Sequence, residues 1–148
     1  MTGVQTCALP ISEQIAIVKA NFAQVVGQKE VVGMLFYDRL FAIAPETKSL
    51  FKGDLRTQSR KLMDTLALAI GMLRDMPTLV TTLEGLAKRH VAYGVKDEHY
   101  AQVGDALMWT LQNGLGSAFT ADARAAWAAL YQSVSDIMRK AAAKPSAF

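Results

Sequence analysis

Leu79, Leu83, Leu86 and His90 recur at steps of four, three and four residues, the spacing of one face of an α-helix. The surrounding stretch, LVTTLEGLAKRHVAYGVKDEHY, reaches Gly94 just past the last of these positions, where a helix commonly stops. His90 therefore ends an apolar stripe, and its imidazole points into a core. Burying a polar ring costs free energy unless something bonds it. Spacing alone leaves two readings open: a core histidine satisfied by a backbone carbonyl, or a ligand to a metal, bare or carried in a prosthetic group.

The helical period continues on both sides of this stretch. Ser12 is a reasonable N-cap for a first helix with Ile15, Val18, Phe22 and Val25 on one face, ending at Gly27. A second helix is predicted over residues 28–43, with Tyr37, Leu40, Phe41 and Ala44 on its inward stripe, and Pro45 favours a break before it. After a short turn, Phe51 and the pair Gly53-Asp54 announce a long helix carrying Leu55, Gln58, Leu62, Leu66, Ala69 and Leu73 inward. Pro77 suits the first turn of the His90 helix. Asp97 is placed to cap the next helix, broken by Gly114 and Gly116, and Thr120 to cap a last one bearing Trp127, Leu130, Tyr131, Val134 and Met138. No stretch shows a two-residue strand period and no repeat of 20–50 residues is visible. The expected fold class is all-α, one domain of six or seven helices spanning residues 12–143.

Residues 1–11, MTGVQTCALPI, share no period with the helices after them and lack the basic start of a secretory signal. The string looks like translated sequencing adapter, so we expect a non-native extension, with residues 144–148 a frayed tail. The only cysteine, Cys7, falls in that extension, which excludes an internal disulfide or a CxxC metal site. With two histidines, a four-ligand zinc site is nearly excluded too. Net charge is a mild +3, with basic residues scattered among acidic ones, which argues against nucleic acid. No apolar run approaches the ~20 residues of a membrane span. No GxSxG, HExxH, P-loop or GxGxxG spacing is present. The expectation is a soluble, cytoplasmic protein, a monomer or weak dimer.

Three polar groups on inward faces, Tyr37, Gln58 and His90, need partners or a ligand. Their order, with Pro45, Phe51 and Leu62 in register between them, resembles the globin family. The phrases GMLFYDRLFAIAPETKSLF, TQSRKLM and LAKRHVAYGVKDEHY are similar to those of bacterial single-domain globins, kin of the flavohaemoglobin globin domain and of neuroglobin. The resemblance implies a three-over-three helical sandwich around haem b. It makes His90 the proximal iron ligand and sets Phe51 on the porphyrin. Tyr37, Gln58 and Leu62 take the distal positions, Lys61 a rim position that faces a haem propionate, and Val95 and Val103 apolar haem contacts. Tyr100 falls where flavohaemoglobins pair a tyrosine with a glutamate of the final helix, but that glutamate's place holds Ala142. Gln58 stands where neuroglobin has a distal histidine, which argues against bis-histidine ligation. Gly33 and Ser59 are small where two helices must cross closely.

The function implied is reversible binding of dioxygen, with nitric oxide and carbon monoxide as further diatomic ligands. The alternative is an enzyme, a nitric oxide dioxygenase served by a separate reductase. A haem-based gas sensor is the weaker third reading.

Overall fold

The structure, a computed structural model, describes residues 10–143, so the expectations for residues 1–9 and 144–148 lie outside the described residues. Six α-helices follow one another: α1 (Ser12–Val25), α2 (Lys29–Ile43), α3 (Leu55–Gly71), α4 (Met76–Tyr93), α5 (Asp97–Leu115) and α6 (Ala121–Ala143). Short 3-10 segments at Val26–Gln28, Pro45–Leu50 and Gly116–Ala118 turn the chain between them, and no strand occurs among the described residues. Helices α1, α3 and α4 lie across α2, α5 and α6, with α2 against α3 and α5, and α6 against α1, α4 and α5. This is the expected sandwich of three helices over three.

Most boundaries sit where the sequence signals place them. Asp54 caps α3, accepting from the backbone N–H groups of Arg56 at 3.3 Å and Thr57 at 3.4 Å. Thr120 caps α6 through Ala123 N–H at 3.1 Å. Pro45 opens the 3-10 segment and Pro77 sits in the first turn of α4. Four details differ. The N-cap of α1 is Ile11, whose N–H is held by Gln14 Oε1 at 3.0 Å, while the Ser12 hydroxyl accepts from Arg74 Nη1 at 2.9 Å. The N-cap of α5 is Lys96, its N–H donating to His99 Nδ1 at 2.9 Å. That frees Asp97 for a two-pronged pair with Arg139 of α6, at 2.7 and 3.0 Å. Helix α3 stops at Gly71, so Leu73 is buried from the following turn. Helix α5 runs through Gly114 and ends before Gly116, whose φ of 57° an L side chain rarely adopts.

The core is stitched by a few polar contacts. Trp127, fully buried, donates from Nε1 to Asn21 Oδ1 at 3.1 Å and so ties α6 to α1. Tyr131 of α6 donates to the Tyr100 carbonyl at 2.5 Å, its ring against Gly104 so closely that an added Cβ would lie 2.7 Å away. Gly33 and Ser59 mark the crossing of α2 and α3. A Cβ on Gly33 would fall 2.3 Å from the Ser59 Cβ, so only glycine lets the two backbones meet.

Candidate functional site

The α2–α3 crossing sets the geometry of the first half of the site. With Gly33 pressed on Ser59, Tyr37 lies one turn further along α2, and Gln58 is the neighbour of Ser59 on α3. The Gln58 side chain lies near enough to the Tyr37 phenol to act on its ionisation. Burial pushes the Tyr37 pKa up to about 12, Gln58 pulling part of the way back. The phenol therefore stays protonated, and a donor, across the physiological range. Three aromatic rings fix its position. Phe36 and Phe51 each meet it edge-on with centroids 5.0 Å away, and Phe41 lies at 5.9 Å. Leu62 follows Gln58 by one helical turn and is half-buried, and Lys61 beside it is exposed.

The second half is the end of α4. His90 Nδ1 lies 2.9 Å from the Leu86 carbonyl, which makes it the protonated nitrogen of a neutral ring. Burial holds the His90 pKa below its ordinary value; the Leu86 bond opposes that shift and the Arg89 charge adds to it. Nε2 is thereby left as an unprotonated donor atom for a metal. The backbone is secured as well. Gly94, at φ 95°, ends the helix, and Val95 N–H returns to the His90 carbonyl at 3.0 Å. Both the ring and the carbonyl of His90 are thus anchored to the last turn.

Helices α3 and α4 occupy the same layer, yet α3 packs chiefly on α2 and α4 on α6 rather than on each other. Phe41, Leu62, Leu86 and Val103, from four helices, are packed against the core but only partly buried. Phe51 and Val95, from the connections, are half-buried in the same way. Such a set offers apolar faces to a flat, hydrophobic group.

Of the residues singled out from sequence, Tyr37 meets Phe51 and lies near Gln58, and Leu62 and Lys61 share α3 with Gln58. Tyr100 is buried at the start of α5. It lines a groove between α5 and α6 with Tyr131 and Arg139, and no ring contact joins it to His90 among the described residues. Sequence reasoning passed over Phe36, put Phe41 on the inward stripe of α2 without a part in the site, and allowed a backbone carbonyl as partner of His90 without naming that of Leu86. The stripe spacing of four from Leu86 to His90 carried the signal for the last of these. It also passed over Tyr93, whose ring centroid is 6.2 Å from that of His90.

Comparisons with known proteins bear on this arrangement. The family model described as Globin matches residues 35–138. Neuroglobin of Chaenocephalus aceratus is 33% identical, over 76% of this chain and 79% of that protein. The flavohemoprotein of Bordetella pertussis is also 33% identical, over 83% of this chain, which spans 31% of that longer protein. Among solved structures, a hexacoordinated heme protein from an anhydrobiotic tardigrade superposes with a TM-score of 0.82, covering 90% of this chain and 96% of that one. At 14% identity, that likeness is one of fold.

Proposed function

This chain belongs to the globin family, and on that premise we propose that it holds haem b and binds dioxygen reversibly at the ferrous iron. The observation that carries the reading is the state of His90, a neutral ring with Nδ1 committed to Leu86 and Nε2 available. A second-contact carbonyl of this kind fixes the tautomer and orientation of a metal-ligating histidine. Haem, when bound, supplies the iron at which a diatomic ligand is held. The chain supplies the rest. His90 Nε2 holds the metal, and Phe51, Leu62, Val95 and Val103 give apolar surface, with Lys61 placed for a propionate. Tyr37 and Gln58 are the donors for a polarised ligand in a place made dry by Phe36, Phe41 and Phe51. Gln58 stands where a second histidine would be needed for ligation from both sides, so we expect a five-coordinate ferrous resting state.

The same site serves nitric oxide dioxygenation if electrons come from a separate protein, a reading supported by similarity to a flavohemoprotein over that protein's smaller part. The test of the main proposal is reconstitution with haem followed by spectroscopy of the deoxygenated ferrous protein. A high-spin, five-coordinate spectrum that converts reversibly on exposure to oxygen is expected. Failure to take up haem, or a low-spin deoxy spectrum that persists in Gln58→Leu, refutes it.

A further inference from the structure

Between α5 and α6 lies a groove of about 390 Å³, the size of a small-molecule site, and none of its lining residues belongs to the Tyr37, Gln58 and His90 site. Its walls are two stripes at helical spacing: Glu98, Ala101 and Asp105 on α5, and Ala128, Gln132, Ser135 and Arg139 on α6. The Tyr131 ring, seated on Gly104, lines it as well. Two hydroxyls there have no hydrogen-bond partner among the described residues, that of Tyr100 and that of Ser135, although the residues are only 8% and 5% exposed. The Tyr131 phenol, by contrast, is committed to the Tyr100 carbonyl. The polar atoms sealed in without a partner are Ser59 Oγ and Gln102 Oε1, so the Tyr100 and Ser135 oxygens open onto the groove. Unpaired surface charges are ordinary; two buried hydroxyls with nothing to bond are not.

The groove is also acidic. Its lining sets Asp97, Glu98 and Asp105 against Arg139 alone, and Arg139 is held by Asp97. Taken more widely, residues 96–108 and 128–140 carry four carboxylates and three cations, in a chain whose net charge is +3. The field reaches both phenols. Burial first, then Asp97, raises the Tyr100 pKa, and burial with Tyr100 and Asp105 raises that of Tyr131, Arg139 opposing in each case.

We propose that this groove binds a short aliphatic diamine, with one ammonium at Glu98, the other at Asp105, and the Tyr100 and Ser135 hydroxyls accepting from them. An ammonium has three N–H donors and no acceptor, so carboxylates and the lone pairs of free hydroxyls suit it. Ala101, Ala128 and Met108 offer the carbon stem an apolar lining. Two turns of α5 set Glu98 and Asp105 about 10.5 Å apart along the axis, a gap that the two side chains and a short diamine close together. A bare metal ion is disfavoured, because no group of three or more His, Cys, Asp or Glu among the described residues is placed to hold one. The proposal stands apart from the haem reading, with which it shares no residue.

The experiment is titration calorimetry of the whole chain with putrescine at low salt, with n-butylamine and succinate as comparison probes. Putrescine should bind more tightly than butylamine, and succinate should give no heat. An exposed ion pair is worth at most about fivefold, so Glu98→Gln/Asp105→Asn should weaken putrescine binding by roughly tenfold. Both side chains are exposed, so this variant keeps the fold. The same loss of charge elsewhere, in Glu13→Gln/Asp38→Asn, should weaken binding far less. Ser135→Ala should weaken it by roughly threefold, the scale of one modest hydrogen bond. Ala101→Trp, which fills the groove from an exposed position, should abolish binding while the circular dichroism stays that of the parent. No heat from putrescine at millimolar concentration, an equal loss in the two acid pairs, or tighter binding of succinate overturns the proposal. If Ala101→Trp instead dissolves a dimer of the parent that putrescine leaves intact, a second copy of the chain fills the groove and the diamine reading falls.

Discussion

Replacing Tyr37 with Phe removes one hydroxyl and changes two states of the molecule. With a ligand held, a buried hydrogen bond to a polarised acceptor is lost, about 1.5–3 kcal/mol. At about 1.4 kcal/mol per factor of ten, ligand dissociation should quicken by roughly ten- to a hundredfold. Without ligand, the interaction of the Tyr37 phenol with the Gln58 side chain is lost as well. A neutral pair of this kind contributes about 0.5–1.5 kcal/mol, which the parent must give up before either group can serve a ligand. The two effects oppose each other in the equilibrium. Oxygen affinity should therefore fall by less than the dissociation rate implies, by about seventyfold at most, and the association rate should rise. Stopped-flow mixing and flash photolysis measure both rates on one sample. Carbon monoxide, a poorer acceptor, should show the faster association with little change in release. Because burial places the Tyr37 pKa at about 12, these differences should be flat from pH 6 to about 10. An unchanged dissociation rate would show that the phenol does not serve the ligand. An affinity that falls by as much as dissociation quickens would show that the resting interaction with Gln58 is no barrier.

Other consequences are as direct. His90→Ala should abolish stable haem retention, checked by transfer of haem to an acceptor protein; retention at the parent level would mean that another group holds the iron. His99→Ala should leave haem spectra alone yet lower stability by about 0.5–2 kcal/mol, the usual range for a lost cap contact, because Nδ1 holds the N-terminus of α5; urea unfolding reads it. Gly33→Ala should cost about 1–3 kcal/mol by overpacking and quicken oxygen release by moving α2 off α3, whereas parent-like values for both would mean that the backbones part freely. Acid should destabilise the haem-free chain. The folded His90 has a lowered pKa, so below about pH 6.5 the unfolded chain takes the proton first and stability falls as pH falls. His90→Gln should flatten that limb of a melting-temperature profile, and an unaltered slope would assign it to other groups.

Punctuation and period made much of this fold legible. Pro45, Pro77, Asp54 and Thr120 act where their backbone chemistry requires, and of the stripe Leu79, Leu83, Leu86 and His90 the first two are buried, with Ala87 beside them, while Leu86 and His90 are half-buried. Gly33 and Ser59 were readable as a close crossing because nothing larger fits there. The caps of α1 and α5 were not readable by the usual rule. Ile11 and Lys96 offer no accepting side chain, and the bond comes back from Gln14 and His99, three residues on. Long-range polar pairs were also invisible. Nothing local in Asp97 predicts Arg139, and Asp97 at a helix start reads naturally as a cap. Tyr37, Gln58 and Phe51 were named one by one from the sequence, but the meeting of Tyr37 with Phe51 and its nearness to Gln58 depend on how the elements pack. Nor does any local pattern announce that Tyr100 lines a groove with Tyr131 and Arg139, which depends on how α5 meets α6.

The bond from Trp127 to Asn21 spans nearly the length of the domain. Until α6 exists, α1 has a buried-to-be amide with no donor and an apolar face with little to cover it. During synthesis the leading helix must therefore wait for the trailing one, and the core closes late, through a contact of long sequence separation. A nascent chain stalled before residue 121 should remain open to protease in α1, and one extended through Ala143 should become resistant. If protection of α1 came before α6 had emerged, closure would have to begin among α1, α2 and α3 instead.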